Sequence, residues 1–330
     1  MIKAVYLKDN ICECELNVEN LGKIYNSKPN LLWVDLSLEK GDLATDEIAL
    51  LSETFQFHEL SIEDCLFPLY NPKVEEFNNY IFVNIHGIRQ KTMNITDFEE
   101  SIYELDIFIA KNLLVTVHTE ELEFIDMLMQ KAKLKPQIEL KNMDNLLYNI
   151  LSKVVANLEL TMEKIGNKID LLEDKILEDA KQEYMQEILD YKKVLLSLKK
   201  ITDPQQYVYS FFSRGNSEYL QDSYSAYFRD ITYQLDRLNK TITASSQMIG
   251  SLIVIYMSAV TLKLNEIIKF LTVIATIFLP ILIIASYYGM NVNFLEVDIL
   301  GPRGTWFFAI FIILVATIFL YFYMKKKKWF

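Results

Sequence analysis

The chain is poor in the residues from which most active sites and metal centres are built. It has only three cysteines and three histidines in 330 residues, and its cysteines lack the Cys-x₂-Cys type of spacing found in zinc sites. His58-Glu59 is not followed by a second histidine at the spacing of a zinc protease. The sequence also contains no glycine-rich phosphate loop and no nucleophile elbow. We therefore expect the protein not to be an enzyme and to use no organic cofactor.

Basic residues are outnumbered by acidic residues before the C-terminal fifth of the chain. The formal net charge is -11, and residues 265–330 carry six basic against three acidic residues, so the first 264 residues hold the whole acidic excess. Nucleic-acid binding needs basic patches, so we expect no nucleic-acid partner. An acidic domain of this kind suits a protein that handles divalent cations, and a merely solvated acidic surface is the alternative.

Long uncharged apolar runs are abundant at the C-terminal end. Phe270–Leu295 and Thr305–Met324 contain no charged residue, and each reaches the ~20 residues that a helix needs to cross a bilayer. We predict spans at about 270–289 and 305–324. The lysines at 325–328 indicate the cytoplasmic side, so both termini are expected in the cytoplasm. The alternative is a buried core helix of a soluble domain.

The first 138 residues are predicted to form an α/β domain. Two helices are predicted, Asp46–Phe55 and Ser61–Leu66, the second capped by Ser61. Short runs rich in valine, isoleucine, tyrosine and phenylalanine predict five strands. These strands are Ile2–Leu7, Leu31–Leu36, Tyr80–Ile88, Ile102–Ala110 and Leu113–Val117.

Residues 139–264 have the pattern of long stalk helices. Apolar residues recur at alternating spacings of four and three, as in a coiled-coil seam. The seam comprises Leu151, Val155, Leu158, Met162, Ile165, Ile169, Leu172 and Ile176. One helix is predicted between Pro136 and Pro204, followed by a break near Pro204 and Ser213–Ser217. A second begins near Tyr219 and continues into the first span, with Pro280 inside it. A membrane-anchored coiled coil would show the same seam.

Several blocks of the sequence resemble the CorA family of divalent-cation channels. The family signature Tyr-Gly-Met-Asn stands at Tyr288–Asn291, and residues 265–280 are similar to the family's pore helix. The upstream blocks His58–Asp64 and Leu113–His118 occur in the family's order, and the chain ends in a typical lysine cluster. The resemblance covers nearly the whole chain.

This resemblance implies an architecture and an activity. The expected fold class is an α/β cytosolic domain with long stalk helices and a two-helix C-terminal transmembrane hairpin, assembled as a funnel-shaped homopentamer. The expected activity is passive, voltage-driven uptake of Mg²⁺, with Co²⁺ or Ni²⁺ as surrogates. The expected domains are residues 1–138, 139–264 and 265–330. The expected surroundings are membrane lipid in a bacterial or archaeal cytoplasmic membrane.

The resemblance also assigns roles to individual residues. Five Asn291 amides would hold a hydrated ion through its water shell. Gly289 would allow the tight turn, and Tyr288 with Met290 would pack the loop against neighbouring subunits. The alternative for Asn291 is a helix C-cap. The residues that match the family's pore-lining positions are Asn265, Ile268, Leu271, Leu279 and Leu282. Asn265 would be a second hydrated-ion site, and the aliphatic rings would form a hydrophobic gate.

Two departures from the family pattern concern charge. Val254 stands where many relatives carry an acid at the cytosolic pore mouth. Asp230 matches an aspartate of the family's regulatory metal site between subunits. The stretch after Gly87, where its partner is expected, offers no carboxylate in register. The alternative for Asp230 is a salt bridge with Arg229.

An external loop is predicted for residues 292–304. Its acidic residues Glu296 and Asp298 would concentrate cations at the mouth of the pore, or simply be solvated.

Two other functions remain open from the sequence. A ZntB-like zinc transporter of the same superfamily would share the signature. A membrane-anchored acidic scaffold that conducts nothing would share the apolar spans and the seam. The physiological ion, the gating mechanism and any coupling to protons are not fixed by the sequence, and the oligomer number comes only from the resemblance.

Overall fold

The computed structural model of the chain describes residues 2–8, 11–14, 18–27, 29–38, 45–67, 71–90, 94–135, 141–215, 219–289 and 295–326. Contacts divide it into two compact units. The first comprises Met1–Lys175 with Lys181–Ile253, and the second comprises Ile176–Ala180 with Val254–Phe330. The three-part division at residues 138 and 264 stays a prediction.

The first unit contains one seven-stranded sheet. Its strands are β1 (Ile2–Lys8), β2 (Ile11–Cys14), β3 (Leu31–Ser37), β4 (Lys73–Glu76), β5 (Ile81–Ile88), β6 (Ile102–Ala110) and β7 (Leu113–His118). The order is β2-β1-β3-β7-β6-β5-β4, and only the β3–β7 pair is parallel. The five predicted strands are confirmed within two residues at each end. Strands β2 and β4 were not predicted, because four residues each give too little alternation, and β4 is mostly charged.

Short helices cover the sheet. They are α1 (Val18–Asn26), α2 (Thr45–Ala49) with a π-helical turn over Leu50–Thr54, α3 (Glu59–Leu66) and α4 (Glu123–Leu134). Helices α1 and α3 and the π-helical turn share one hydrophobic core with strands β3, β5, β6 and β7. Phe57 stacks on Phe108 in this core, with 4.3 Å between the ring centroids. These aromatic and aliphatic side chains cover one face of the sheet.

The predicted cap of helix α3 is wrong by three residues. Helix α3 begins at Glu59, and the cap is His58, whose Nδ1 accepts a hydrogen bond from the backbone N–H of Leu60 at 3.2 Å. Ser61 lies inside the helix, where its hydroxyl donates to the His58 carbonyl at 2.8 Å. A histidine ring nitrogen can accept at a helix start as a serine oxygen does, so the sequence pattern placed the cap on the wrong residue.

The stalk region contains two helices where the sequence predicted one. They are α5 (Met143–Glu178) and α6 (Gln182–Ser213). All eight residues of the predicted seam are buried, which confirms the seam. The predicted single helix is interrupted at residues 179–181, after a run of acids that the negative end of a helix dipole disfavours. Helix α6 ends at Ser213, in agreement with the break predicted at Ser213–Ser217. Helix α6 continues through Pro204, because buried residues on both sides of it, Ile201 and Val208, hold the helix in place.

The two C-terminal helices are α7 (Ser225–Gly289) and α8 (Leu295–Lys326). Helix α7 starts six residues later than predicted, after a 3-10 turn over Asp222–Tyr224. Helix α8 is kinked at Gly301, where φ is 71° and ψ is 166°. The predicted external loop over residues 292–304 is therefore wrong from residue 295 onward, and Glu296 and Asp298 stand on helical backbone. The fold class, an α/β domain followed by long helices and apolar C-terminal helices, is confirmed.

Candidate functional site

The two apolar helices are long enough to cross a membrane by length and composition. Their most apolar 18-residue windows have a mean hydropathy of 2.6, and only 6% and 11% of these windows are buried within the chain. A core helix of a soluble domain would be mostly covered by its own chain. The exposure of both helices therefore contradicts the alternative of buried core helices.

Helix α7 places the predicted pore-lining residues on one side. At 3.6 residues per turn, the five positions fall within an arc of about 120°. Four of them are exposed aliphatic side chains, with exposed fractions of 59% for Ile268, 64% for Leu271, 55% for Leu279 and 63% for Leu282. Asn265, one turn before Ile268, is also exposed. The helix thus carries an uncharged stripe that begins with the amide of Asn265.

The middle of this stripe borders an apolar cleft of about 400 Å³. Leu271 and Leu279 line it together with Leu320 of helix α8. Two threonines on the same turns bond back to their own helix, Thr272 Oγ1 to the Ile268 carbonyl and Thr276 Oγ1 to the Thr272 carbonyl, each at 2.7 Å. Their polar atoms are therefore satisfied within the helix, as an apolar environment requires.

Pro280 lies inside helix α7, as predicted. A proline has no N–H, so the carbonyl four residues earlier, that of Thr276, cannot receive its usual backbone hydrogen bond. This carbonyl is a fixed acceptor within the uncharged stretch of the helix. Such a group is tolerated at membrane depth where protein or water compensates it.

The signature at the end of helix α7 is partly described. Gly289 is the last residue of the helix, and Tyr288 precedes it. Met290 and Asn291 lie outside the described residues, and so does the turn predicted after Gly289. The selectivity roles of these four residues stay predictions, and so do the roles of Glu296 and Asp298.

Asp230 is exposed on helix α7 and is not part of a metal-binding group in the described chain. Its Oδ2 accepts a hydrogen bond from Gln234 Nε2 at 2.8 Å, one turn further on. Within the described ranges, no group of three or more His, Cys, Asp or Glu side chains could hold a metal ion. The regulatory role of Asp230 concerns a site between subunits, so it stays a prediction.

One ionic contact near the start of the stripe was not predicted. Lys263 Nζ lies 2.9 Å from Asp179 Oδ1, and both side chains are about half exposed. This hydrogen bond raises the pKa of Lys263. Asp179 belongs to the segment Ile176–Ala180, which comprises the end of helix α5 and the two residues after it and groups with the C-terminal helices. The acidic run around residue 179 was visible in the sequence, but nothing there indicated that it meets helix α7 two residues before Asn265.

Hydrogen bonds fix two histidines of the first unit, His58 and His118. His118 is buried, and its Nε2 lies 3.2 Å from Asp35 Oδ1. Thr116 donates to the same Asp35 oxygen at 2.5 Å, and Trp33 donates to Thr116 at 3.1 Å. This network joins the parallel strands β3 and β7. His118 and the capping residue His58 therefore serve the fold of the first unit.

Comparison with known proteins identifies the family. The cobalt/magnesium transport protein CorA of Thermotoga maritima is 28% identical over 305 residues, which cover 90% of this chain and 83% of that protein. The solved CorA magnesium transporter of Methanocaldococcus jannaschii aligns with a TM-score of 0.81 and 23% identity, over 100% of this chain and 99% of that one.

A second fold neighbour is the cytoplasmic domain of ZntB from Vibrio parahaemolyticus. It aligns with a TM-score of 0.61 and 15% identity, over 80% of this chain and 98% of that one. At these identities the two structural likenesses concern the fold alone. The family model described as CorA-like Mg²⁺ transporter protein matches residues 29–326. Because this match spans most of the chain, the protein belongs to the CorA family.

Proposed function

We propose that the protein is a Mg²⁺ uptake channel of the CorA type that also passes Co²⁺ and Ni²⁺. The observation that carries this proposal is the exposed uncharged stripe of helix α7, which begins at Asn265 and leads to the Gly-Met-Asn signature. The family is one of transporters, so we assign the chain no catalytic role. Membership also supports placement in a membrane, with the two apolar helices as its spans.

The proposed channel needs several copies of the chain. One helix exposes its stripe on one side only, so a pore requires the same stripe from each of several neighbouring subunits. We propose five, in a homopentamer whose helices α7 surround the pore. The rings of Ile268, Leu271, Leu279 and Leu282 would then form a hydrophobic gate that excludes water when narrow.

Selection would rest on hydrated ions. Mg²⁺ gives up its water reluctantly, so an amide ring of Asn291 can hold the hydrated ion through its water shell. A neutral ring attracts the ion without trapping it, as conduction requires. Inward movement of a divalent ion is favourable by about 4.6 kcal/mol at 100 mV, so the membrane potential is a sufficient driving force.

Two secondary roles belong to the same proposal. Glu296 and Asp298 would raise the cation concentration at the external mouth, and Asp230 would contribute to a regulatory Mg²⁺ site at a subunit contact. Asp179 also lies near the cytosolic start of the stripe, but it is paired with Lys263, so the pair adds no net negative charge where Val254 supplies no acid. Carboxylates near a pore mouth concentrate cations without binding them tightly.

A zinc transporter is the second candidate function. A ZntB cytoplasmic domain shares the fold over 80% of this chain, and Val254 stands where many magnesium channels carry an acidic residue. Such a transporter would move Zn²⁺ in proportion to a proton gradient. The two candidates therefore differ in both the ion and the driving force.

The test is dye-reported Mg²⁺ entry into proteoliposomes under an inside-negative potential. Asn291→Ala is expected to abolish the influx or its selectivity, because the ring loses its carbonyl dipoles. Asn293→Ala is the matched control, since it removes the same amide two residues beyond the signature, and it should keep the wild-type influx. Zn²⁺ flux that follows a pH gradient, without Mg²⁺ flux, would instead support the zinc transporter. If no ion entered the proteoliposomes, the result would support the hypothesis of a membrane-anchored scaffold that conducts nothing.

A further inference from the structure

Helix α7 has two different sides near the start of the stripe. Positions 242, 249, 256 and 263 recur every seven residues, so they fall within an arc of about 60°. The first three, Ile242, Ile249 and Tyr256, are buried, so the chain itself covers this side of the helix there. The centre of the stripe from Asn265 to Leu282 lies about 140° around the helix from Lys263. Lys263 therefore stands on the side of the helix that faces away from the proposed pore.

Lys263 contacts the end of helix α5. Its Nζ donates to Asp179 Oδ1 at 2.9 Å, and the two residues belong to the same compact unit. Asp179 directly follows Glu178, the last residue of helix α5. The dipole of a helix puts partial negative charge at its C-terminal end, so a cation is favoured there. Lys263 is therefore attracted both by the Asp179 carboxylate and by the end of helix α5.

The segment that carries Asp179 is held between two packed helices. Residues 179–181 are the whole connection between helices α5 and α6, which makes a short helical hairpin. Across this connection, Lys175 Nζ of helix α5 lies 5.9 Å from the centre of the Tyr184 ring of helix α6. Ile176, three residues before Asp179, is buried. A short connection between packed helices has little freedom to move, so Asp179 is a fixed partner for Lys263.

We propose that Asp179 and Lys263 are positioning residues, and that their ion pair holds helix α7 away from the pore axis and so favours the conducting state. This inference rests on the proposed function. In a ring of subunits, the exposed aliphatic side chains of the stripe attract one another, because their contact removes apolar surface from water. A narrowed aliphatic ring excludes water and ions. A contact on the opposite side of the helix opposes this narrowing without placing a charge in the pore.

One exposed ion pair is weak, so the size of the effect depends on the number of copies. Loss of a pair at the low end of the usual range changes an equilibrium by a factor of about 1.4. Five subunits that act on one pore would multiply this factor to about fivefold. Both side chains are about half exposed, so salt should screen the pair and reduce its effect.

The first test is Mg²⁺ influx into proteoliposomes that contain the full-length protein. Asp179→Asn and Lys263→Met should each lower the influx about fivefold at low ionic strength, and by less at high ionic strength. The double variant Asp179→Lys with Lys263→Asp reverses the pair and should restore the influx. The melting temperatures should stay close to that of the wild type, because an exposed pair contributes little to stability.

The matched control is Asp174→Asn, which removes the same charge from an exposed position of helix α5. It should keep the wild-type influx at every ionic strength. An equal loss of influx in Asp174→Asn and Asp179→Asn would overturn the proposal, because the effect would then come from the net charge of the region. Influx that Asp179→Asn leaves unchanged or raises would also overturn it, and so would a reversed pair that fails to restore the influx.

The second test examines the contact without measuring flux. A carbodiimide joins a carboxylate to an amine that touches it, so it should form an amide bond between Asp179 and Lys263 in the wild-type protein. Mass spectrometry of the joined peptide detects this bond, and its absence would overturn the proposed contact. If the bond formed but no ion entered the proteoliposomes, the proposed channel would be rejected together with the positioning role. Wild-type influx that is insensitive to Asp179→Asn would reject the positioning role alone.

Discussion

Two eight-residue segments show how the two units of the chain differ. In strand β5, all eight residues of Ile81–Ile88 are buried. In helix α7, all eight residues from 261 to 268 are exposed, although half of them are aliphatic. The first unit covers its apolar surface with its own chain. The second unit leaves apolar surface uncovered, so its cover has to come from lipid or from other subunits.

This difference separates the expected effects of substitutions. In the first unit, a change in a buried side chain alters packing and therefore the free energy of unfolding. In the second unit, a change on the exposed stripe alters few contacts within the chain, and its effect should appear in ion flux. Three substitutions test this separation.

The largest effect on stability is expected from Gly87→Ala in strand β5. A Cβ at residue 87 would lie 2.3 Å from the ring tip of Tyr103, and Tyr103 is buried and cannot move aside freely. The free energy of unfolding should fall by about 3 kcal/mol. The measurement is thermal unfolding of the full-length protein, followed by near-UV circular dichroism.

The control for this change is Gly250→Ala. A Cβ at residue 250 meets nothing within 4 Å, and the residue is exposed on helix α7. Alanine should therefore stabilise that helix by up to about 1 kcal/mol. If the two alanine variants melted at the same temperature, the close packing of Gly87 against Tyr103 would have no energetic weight.

The next effect should appear in flux and not in stability. Leu279→Ser makes part of the proposed gate polar, so the pore should stay wet and resting Mg²⁺ entry should rise about tenfold, as for a barrier lowered by about 1.4 kcal/mol. Ile277→Ser is the matched control, because residue 277 lies on the opposite side of the helix. Equal leakage in both variants would show that the stripe does not face the pore.

The smallest effect concerns a buried carboxyl in the first unit. Burial, and secondarily the charge of Glu104, raises the pKa of Asp106 well above its usual range. The folded chain therefore holds a proton that the unfolded chain releases, so stability should fall as pH rises from the ordinary aspartate pKa through the raised one. Asn84 Nδ2 donates to Asp106 at 2.7 Å, which limits this loss.

Asp106→Asn should flatten this dependence of the melting temperature on pH. Asp170→Asn replaces an exposed carboxyl of helix α5 and should keep the wild-type slope. The measurement is the melting temperature across a pH series for the three proteins. If Asp106→Asn left the slope of the melting temperature against pH unchanged, the pH dependence would come from other titratable groups.

The sequence predicted those parts of the fold that have a strong period. The seam along helix α5 and the five longer strands were predicted because apolar residues recur at 3.5 or 2 residues over many positions. Strands β2 and β4 are too short for such a signal. The helix through Pro204 was missed because tertiary burial outweighed the local cost of a proline.

The candidate site was predicted to a different extent. The stripe on helix α7 followed from the resemblance, and its one-sided placement agrees with helical periodicity. The contact between Asp179 and Lys263 joins residues 84 positions apart, so no local pattern contains it.

The pairing of β3 with β7 also determines the order in which the protein can form during synthesis. Strand β3 ends at Ser37, but its neighbour β7 begins only at Leu113. The middle of the sheet therefore cannot form until the ribosome has made residue 118. Pairings between distant segments form slowly, yet nascent domains generally fold as units from the N-terminus. The ribosome makes the apolar helices α7 and α8 after the sheet, so the sheet can fold before these helices reach the membrane.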